Sequence, residues 1–393
     1  MTVSSSRGSA WEVLKVFTAL GLTSFGGPTA HLGYFKTAFV DRRRWLDEAD
    51  YANTVALCQF LPGPASSQVG MVIGFRRAGY LGMLMAWLAF TLPSAAALTA
   101  FALLVKNSAW VDPQAGWLAG LLAAAVAVVF HAVAGMAKNL AATKVTATIA
   151  VLSGITVLAL PGPWTHLLVI TAAALAGMVF CSASEPTAAA HTATVPQPVA
   201  IAALTVLIVA IVALPVLARA TGNHLLEMVN AYVSSGALVF GGGHVVMPLL
   251  EQHTVAPGWV THTEFLAGYS AAQAVPGPLF TFASFLGAAD AGLLGAFIAT
   301  AAIFAPSALL VLFGLHYWDR LSHSLRVRKA FSGANAAVVG LLAAALYQPV
   351  FTHGVTGIAS LGIAATCWLG MAKWGVPPCA IAVGAALAGW VLL

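Results

Sequence analysis

The sequence predicts an all-α polytopic membrane protein made of two inverted-topology repeats of transmembrane helices, each interrupted by broken or re-entrant segments. Three observations carry that expectation. Of 393 residues, 60% are hydrophobic and only 7% are Asp, Glu, Lys or Arg, with a mean hydropathy of +0.91. No water-soluble domain could cover such a chain with polar surface. Apolar runs of membrane-crossing length recur along it, and its two halves resemble each other. Ten-residue alternating patterns of the β-barrel kind are absent, so helices are the expected spanning elements.

Taken in order, residues 1–10 are polar with one arginine, and the apolar run after them ends in "SFGGP". We read that run as retained rather than as a cleaved leader, because a counterpart recurs in mid-chain. A second break, "PGP" at Pro62–Pro64, interrupts the next apolar stretch. Crossing segments are then expected over Gly79–Val105, Trp117–Ala137, Val145–Leu160, Thr165–Cys181, Val199–Leu217, Leu293–Leu315, Gly333–Val350, Val355–Met371 and Val376–Leu393. Cys58, Cys181, Cys367 and Cys379 are scattered among apolar residues. Without metal-ligand spacing they read as small buried hydrophobes.

The repeat is the most informative feature. "SFGGPTAHLGYF" returns as "VFGGGHVVMPLL", "CQFLPGPASS" aligns with "AQAVPGPLFT", and "AGYLGMLMAWLAFTLPSA" returns as "AGLLGAFIATAAIFAPSA". The offset is 215 between Phe25 and Phe240, 214 between Pro62 and Pro276, and 213 between Pro93 and Pro306. Residues 1–181 and 219–393 are therefore expected to be equivalent units. Between them lie a Ser/Thr/Pro/Ala-rich linker, 182–198, and one unpaired crossing helix, 199–218.

An odd crossing between two equal units turns the second upside down, and the charges agree. Lys36, Arg42, Arg43, Arg44, Arg76 and Arg77 fall in first-half loops whose second-half counterparts carry no Lys or Arg. Conversely, the loop around Asp112 holds only Lys106, whereas its counterpart holds Arg320, Arg326, Arg328 and Lys329. That is the signature of an inverted repeat, with the N-terminus cytoplasmic and the C-terminus outside. Reading the GGP and PGP segments as hairpins leaves only Lys106 and Arg219 of the 17 Lys and Arg outside, whereas reading each as a single crossing leaves six. The sequence favours the hairpin without deciding it.

Proline removes a donor and glycine admits close approach, so the breaks free backbone groups that lipid cannot satisfy. Helix N-termini at such depth suit an anion. The candidate binding residues are Gly26, Gly27, Pro28, His31, Gln59, Pro62, Gly63, Pro64, Ser66 and Ser67 in the first half. In the second they are Gly241, Gly242, Gly243, His244, Gln273, Pro276, Gly277, Pro278 and Thr281. Hydroxyls and amides are the donors an oxyanion needs, and the two histidines are candidates for binding or proton transfer. Arg42, Arg43, Arg44, Arg76 and Arg77 are topology determinants that could also gather anions at the inner mouth. Glu251 is read as a loop residue. His244, His253 and His262 fall nine apart, which suits no metal, and HExxH, CxxC, P-loop and GxSxG motifs are absent. No cofactor is expected, and any pumping would draw on an ion gradient or a separate subunit.

With these motifs in view, "LGLTSFGGPTAHLGYF" through "RAGYLGMLMAWLAFTLPSA" resembles the first conserved domain of the chromate transporter family, and "FGGGHVVMPLLE" through "AVPGPLFTFASFLGA" resembles the second. The resemblance spans essentially the whole chain in the family's long, two-domain form. It implies a cytoplasmic-membrane protein that exports chromate, confers chromate resistance and is driven by the membrane potential or a proton gradient. The family's motif residues fall on Gly26, Gly27, Pro28, Pro62, Gly63 and Pro64, and on Gly241, Gly242, Pro276, Gly277 and Pro278. GGP in the first half reads GGG in the second, so the two breaks need not bind equivalently. The expected partners are chromate or a sulfate-like oxyanion and the lipid bilayer, with no nucleic acid; a homodimer stays open. A passive anion channel and a membrane-embedded reductase are the competing classes, the latter needing a redox site that the sequence does not offer.

Overall fold

A computed structural model gives the fold, and residues 8–24, 27–107, 116–160, 165–182, 195–239 and 246–393 are described. Every regular element among them is helical. Helix α1 (Ala10–Thr23) is capped by Ser9, whose hydroxyl accepts from the Glu12 amide, satisfying one of the orphan first-turn donors. Its 14 residues span about 21 Å, short of a hydrocarbon core of about 30 Å. The chain continues as α2 (Gly27–Phe35), which runs on as a π-helical stretch over Lys36–Arg42. Helix α3 (Glu48–Phe60), capped by Asp47, is equally short.

Helix α4 (Ala65–Asn107) breaks at Ala78–Gly79, where Gly79 takes φ 64° and ψ −152°, a combination glycine alone adopts without strain. Its first arm pairs with α3 as a hairpin whose turn is the PGP segment. The open ends of that hairpin sit side by side, since Arg76 donates to Asp50 at 2.6 Å. Arg77 lies over the Trp45 ring and bonds Glu12 of α1, and the Gly8 amide donates to the Arg77 carbonyl. The starts of α1 and α3 and the break in α4 are thus at one level. The second arm of α4 is long enough to cross.

There follow α5 (Gly116–Leu140), α6 (Lys144–Ala159), α7 (Thr165–Phe180) and α8 (Gln197–Thr221). A second series comprises α9 (His224–Ala237), α10 (Val246–Thr254), α11 (His262–Ala274), a 3-10 turn at Leu279–Thr281 and α12 (Phe282–His323). It ends with α13 (Leu325–Ala345), a π-helical stretch over Leu346–Phe351, the single turn α14 (Thr352–Gly354), α15 (Ile358–Trp374) and α16 (Pro378–Leu392). Like α4, α12 breaks once, at Ala291–Gly292, and Gly292 takes φ 65° and ψ −150°.

Among the described residues, five helical stretches are long and apolar enough to cross a membrane: Ala65–Val105, Gly116–Leu140, Gln197–Thr221, Leu279–Trp318 and Leu325–Gly354. The protein is an all-α, multi-pass membrane protein. The run expected from Gly333 belongs to a helix that starts at Leu325, because Arg326, Arg328 and Lys329 in its first turns hide the start from a hydropathy window. Along α8, Ile201, Val206, Val209, Val212 and Val216 are all exposed, a surface suited to lipid rather than water.

Glycines set the closest helix crossings. A Cβ on Gly333 of α13 would fall 2.1 Å from the Ala173 carbonyl of α7, and one on Gly120 of α5 would fall 2.0 Å from the Ala385 carbonyl of α16, the small-residue contact usual within membranes. Helix α5 packs on α15 and α16, and α13 packs on α6 and α7. Each series therefore contributes one long helix to a pair of shorter helices in the other.

Candidate functional site

The turns of the two series meet. The Gly63 amide of one PGP turn donates to the Val239 carbonyl at 2.6 Å, and the Gly277 amide of the other donates to the Ser24 carbonyl at 3.0 Å. Ser24 and Val239 stand at equivalent places, two residues before Gly26 and Gly241 in the sequence. Only glycine fits either donor position, since Gly63 has φ 121° and Gly277 φ 104°. A Cβ on Gly63 would meet Ser307 Oγ at 2.3 Å, and one on Gly277 would meet Ser94 Oγ at 2.7 Å.

His31, one turn into α2, is fully buried. Its Nε2 lies 3.1 Å from the Ser24 carbonyl and its Nδ1 3.3 Å from Ser66 Oγ. A carbonyl only accepts, so Nε2 carries the proton and the Ser66 hydroxyl donates to Nδ1. The Ser24 carbonyl thus receives His31 from its own half and Gly277 from the other. The imidazole edge rests against Phe90 of α4. Pro64 and Ser67 are buried and Pro62 is half-buried. Gln68 closes the first PGP turn by donating to the Pro62 carbonyl at 2.7 Å.

On the second PGP turn, Pro278 accepts from the Thr281 hydroxyl, and Ser284 donates to Thr281 and to Ala95 of α4. Around the turns the side-chain oxygens of Ser24, Ser67, Thr91, Ser235 and Ser307 are buried with no hydrogen-bond partner among the described residues. Buried hydroxyls without partners are uncommon and costly. No Asp or Glu occurs at 13–24, 27–40, 51–107, 228–239, 246–250 or 265–289, the described segments around this centre. The N-terminal ends of α2 and α4 abut it as well. Unpartnered hydroxyls and positive helix ends without nearby carboxylates among the described residues have a chemistry that suits an anion with several acceptor oxygens better than a cation.

The expected residues do not all converge. Gly27 and Pro28 open α2 beside the turns, whereas Gly26, Gly241, Gly242, Gly243 and His244 lie outside the described residues. Gln59 is exposed, facing a cavity at the side of the hairpin. Gln273 bonds the Tyr269 side chain, and Pro276 is half-buried at its turn. Arg42, Arg43 and Arg44 are exposed, but Arg76 and Arg77 are committed to Asp50 and Glu12. Glu251 is not a loop residue: it lies in α10, 3.8 Å from His262, because the helix runs on to Thr254. Sequence reasoning passed over Gln68, Ser94, Thr91 and Ser307. The signal for two of them was present in the repeated Pro-Ser pair, Pro93-Ser94 and Pro306-Ser307.

Fold and site together define a polytopic helical membrane protein with a buried polar centre, free of carboxylates among the described residues, where the PGP turns of its helices meet. The family pattern described as chromate transporter matches residues 11–178 and 226–390, and the chain belongs to that family. It is 28% identical over 338 residues to a chromate transport protein of Pseudomonas aeruginosa, covering 85% of this chain and 79% of that one. A probable chromate transport protein of Synechococcus elongatus is 26% identical over 344 residues, with 85% and 83% covered. A chromate transport protein of Cupriavidus metallidurans is 24% identical over 358 residues, with 85% and 81% covered. No solved structure matches the chain.

Proposed function

We propose that this protein is a secondary transporter that exports chromate across the cytoplasmic membrane by alternating access, and so gives chromate resistance. The observation that carries the reading is the reciprocal bonding of Gly63 to Val239 and of Gly277 to Ser24 around unpartnered hydroxyls. Broken segments that meet in this way are how many transporters build a central site. The relatives' names supply chromate as the anion, and sulfate, of the same shape and charge, is the natural competitor.

In this reading residues 1–181 and 219–393 are inverted repeats, joined by the linker 182–198 and the crossing helix 199–218. The short hairpins dip in from opposite faces and touch at their turns. Matching element bounds support the repeat: α1, α3 and α6 begin 214 residues before α9, α11 and α15. Arginines at the first-half hairpin bases, against His224 and Asp290 at the second-half base, favour a cytoplasmic first face and N-terminus with the C-terminus outside. Exposed Arg42, Arg43 and Arg44 would gather the dianion at the inner mouth. The unpartnered hydroxyls of Ser24, Ser67, Thr91, Ser235 and Ser307 would hold it, while His31, Ser66, Thr281 and the glycine amides, each bonded within the chain, would shape the site around them. Rocking of one half against the other would then release it.

The test is chromate flux in inside-out vesicles, with and without an imposed gradient and with sulfate as competitor. Gradient-dependent accumulation that sulfate inhibits is the expected result. Simple equilibration would refute active export in favour of a channel, and no movement would refute chromate as the substrate.

A further inference from the structure

A cavity of about 370 Å³ lies between the end of α3, the α5–α6 junction and the start of α13. Among the described residues its polar lining comprises Gln59, Asn139, Arg328, Ser332 and Asn335 with the threonine pair at 143 and 146, and includes no Asp or Glu. Two nitrogens of Arg328, Nε and Nη1, are buried there with no hydrogen-bond partner among the described residues. Trp318, also in the lining and only 3% exposed, has an Nε1 in the same condition. Three buried N–H donors without partners at one cavity are an expensive arrangement unless something occupies it.

The chemistry of the set is narrow. Guanidinium and indole donate and never accept, and the guanidinium fork matches two oxygens of one oxyanion. Gln59, Asn139 and Asn335 add amide donors at the rim, while Lys138, Lys144, Arg326 and Lys329 flank the cavity in sequence and outnumber Asp319, the sequence neighbour of Trp318, so the local potential is positive. The floor adjoins the central site: Phe60 stacks on Phe331 at 4.0 Å and meets Trp318 edge-on at 5.6 Å. Phe60 is the last residue of α3, two positions before the PGP turn.

We propose that this cavity is a second oxyanion site, a holding site for a tetrahedral dianion at the inner mouth, with Arg328 and Trp318 as its direct ligands. It deepens the transport reading by giving the anion a place to dehydrate before it passes the Phe60–Phe331 pair. No ligand role was expected of either residue from the sequence, where Arg328 counted only toward topology.

The test is equilibrium binding of radiolabelled sulfate to the purified full-length protein, with chromate as competitor, in wild type, R328Q, R328K and W318F. R328Q should weaken binding at least tenfold, as loss of a charge-assisted pair does. R328K, which keeps the charge but not the fork, should fall between, and W318F, which keeps the ring, should lose several-fold. A wild-type Kd in R328Q overturns the proposal. Should that variant not accumulate, an unchanged Kd in W318F overturns it instead, as does a wild type that binds neither anion. Arg328-dependent sulfate binding without chromate flux would refute the export reading alone; chromate flux with Arg328-independent binding would refute this site alone.

Discussion

Replacing Gly63 with alanine adds one methyl group to the point where the halves touch. At φ 121° an L-residue is strained by about 1–3 kcal/mol. The new Cβ would also fall 2.3 Å from Ser307 Oγ and 2.8 Å from Gln68 Nε2. Both atoms can swing away, but Gln68 would then release the Pro62 carbonyl that it caps at 2.7 Å. An unsatisfied buried carbonyl costs about 1–3 kcal/mol more. The sum, about 2–6 kcal/mol, is large against the tenfold per 1.4 kcal/mol that governs populations. Chromate flux in vesicles, normalised to protein present, should fall at least tenfold in G63A. In G63A/S307A the hydroxyl is gone and the remaining Ser307 contact, at 3.3 Å, is tolerable, so flux should recover in part, with the backbone strain left unrelieved. Wild-type flux in G63A would refute the close-approach argument. A double variant no better than the single would refute the Ser307 contact as a contributor.

Leucine at Gly63 or Gly277 should abolish flux while leaving protein in the membrane, as read by quantitative blotting and transport. Gly79→Ala meets no atom within 4 Å and should cost only the backbone strain of a conformation that favours glycine, about 1–3 kcal/mol, seen as a fall of several degrees in Tm. Asp50→Asn should destabilise by about 1–3 kcal/mol, between the exposed and buried limits for an ion pair, because both partners are about a fifth exposed; a swapped D50R/R76D variant should restore the Tm. His31→Leu strips the Ser24 carbonyl and the Ser66 hydroxyl of a partner and should lower both Tm and flux. Arg44→Cys should be labelled by impermeant maleimide in inside-out vesicles only, and labelling of intact cells would refute the hairpin reading.

Much of the fold was legible because membrane physics leaves few options. An apolar run starting at Gly79 is visible in hydropathy, and the structure breaks α4 at that glycine. The start of α13 was not legible, since its basic first turns read as loop. At the site, His31, Gly63, Ser66 and Gly277 were accessible from motif chemistry alone, because a break at depth demands glycine and nearby donors. Gln59 and Gln68 illustrate the limit. Both flank the PGP turn, but helical phase decides which one faces it, and α3 and α4 approach the turn from different sides. Arg328 was beyond reach, since a burial environment cannot be read from a cluster of cations.

The exchange of long helices between the two series bears on how the protein is made. Helix α5 leaves the ribosome early, yet its packing surfaces, α15 and α16, are the last segments synthesised. Likewise, the Ser24 carbonyl and the Gly63 amide wait for Gly277 and Val239, more than 170 residues downstream. Until then the Gly63 amide has no carbonyl to bond and the Ser24 carbonyl has only His31, which gives the first half reason to linger beside the insertion machinery. A truncated chain would hold that exposed state indefinitely, as a target for membrane quality control rather than a smaller working version of the protein.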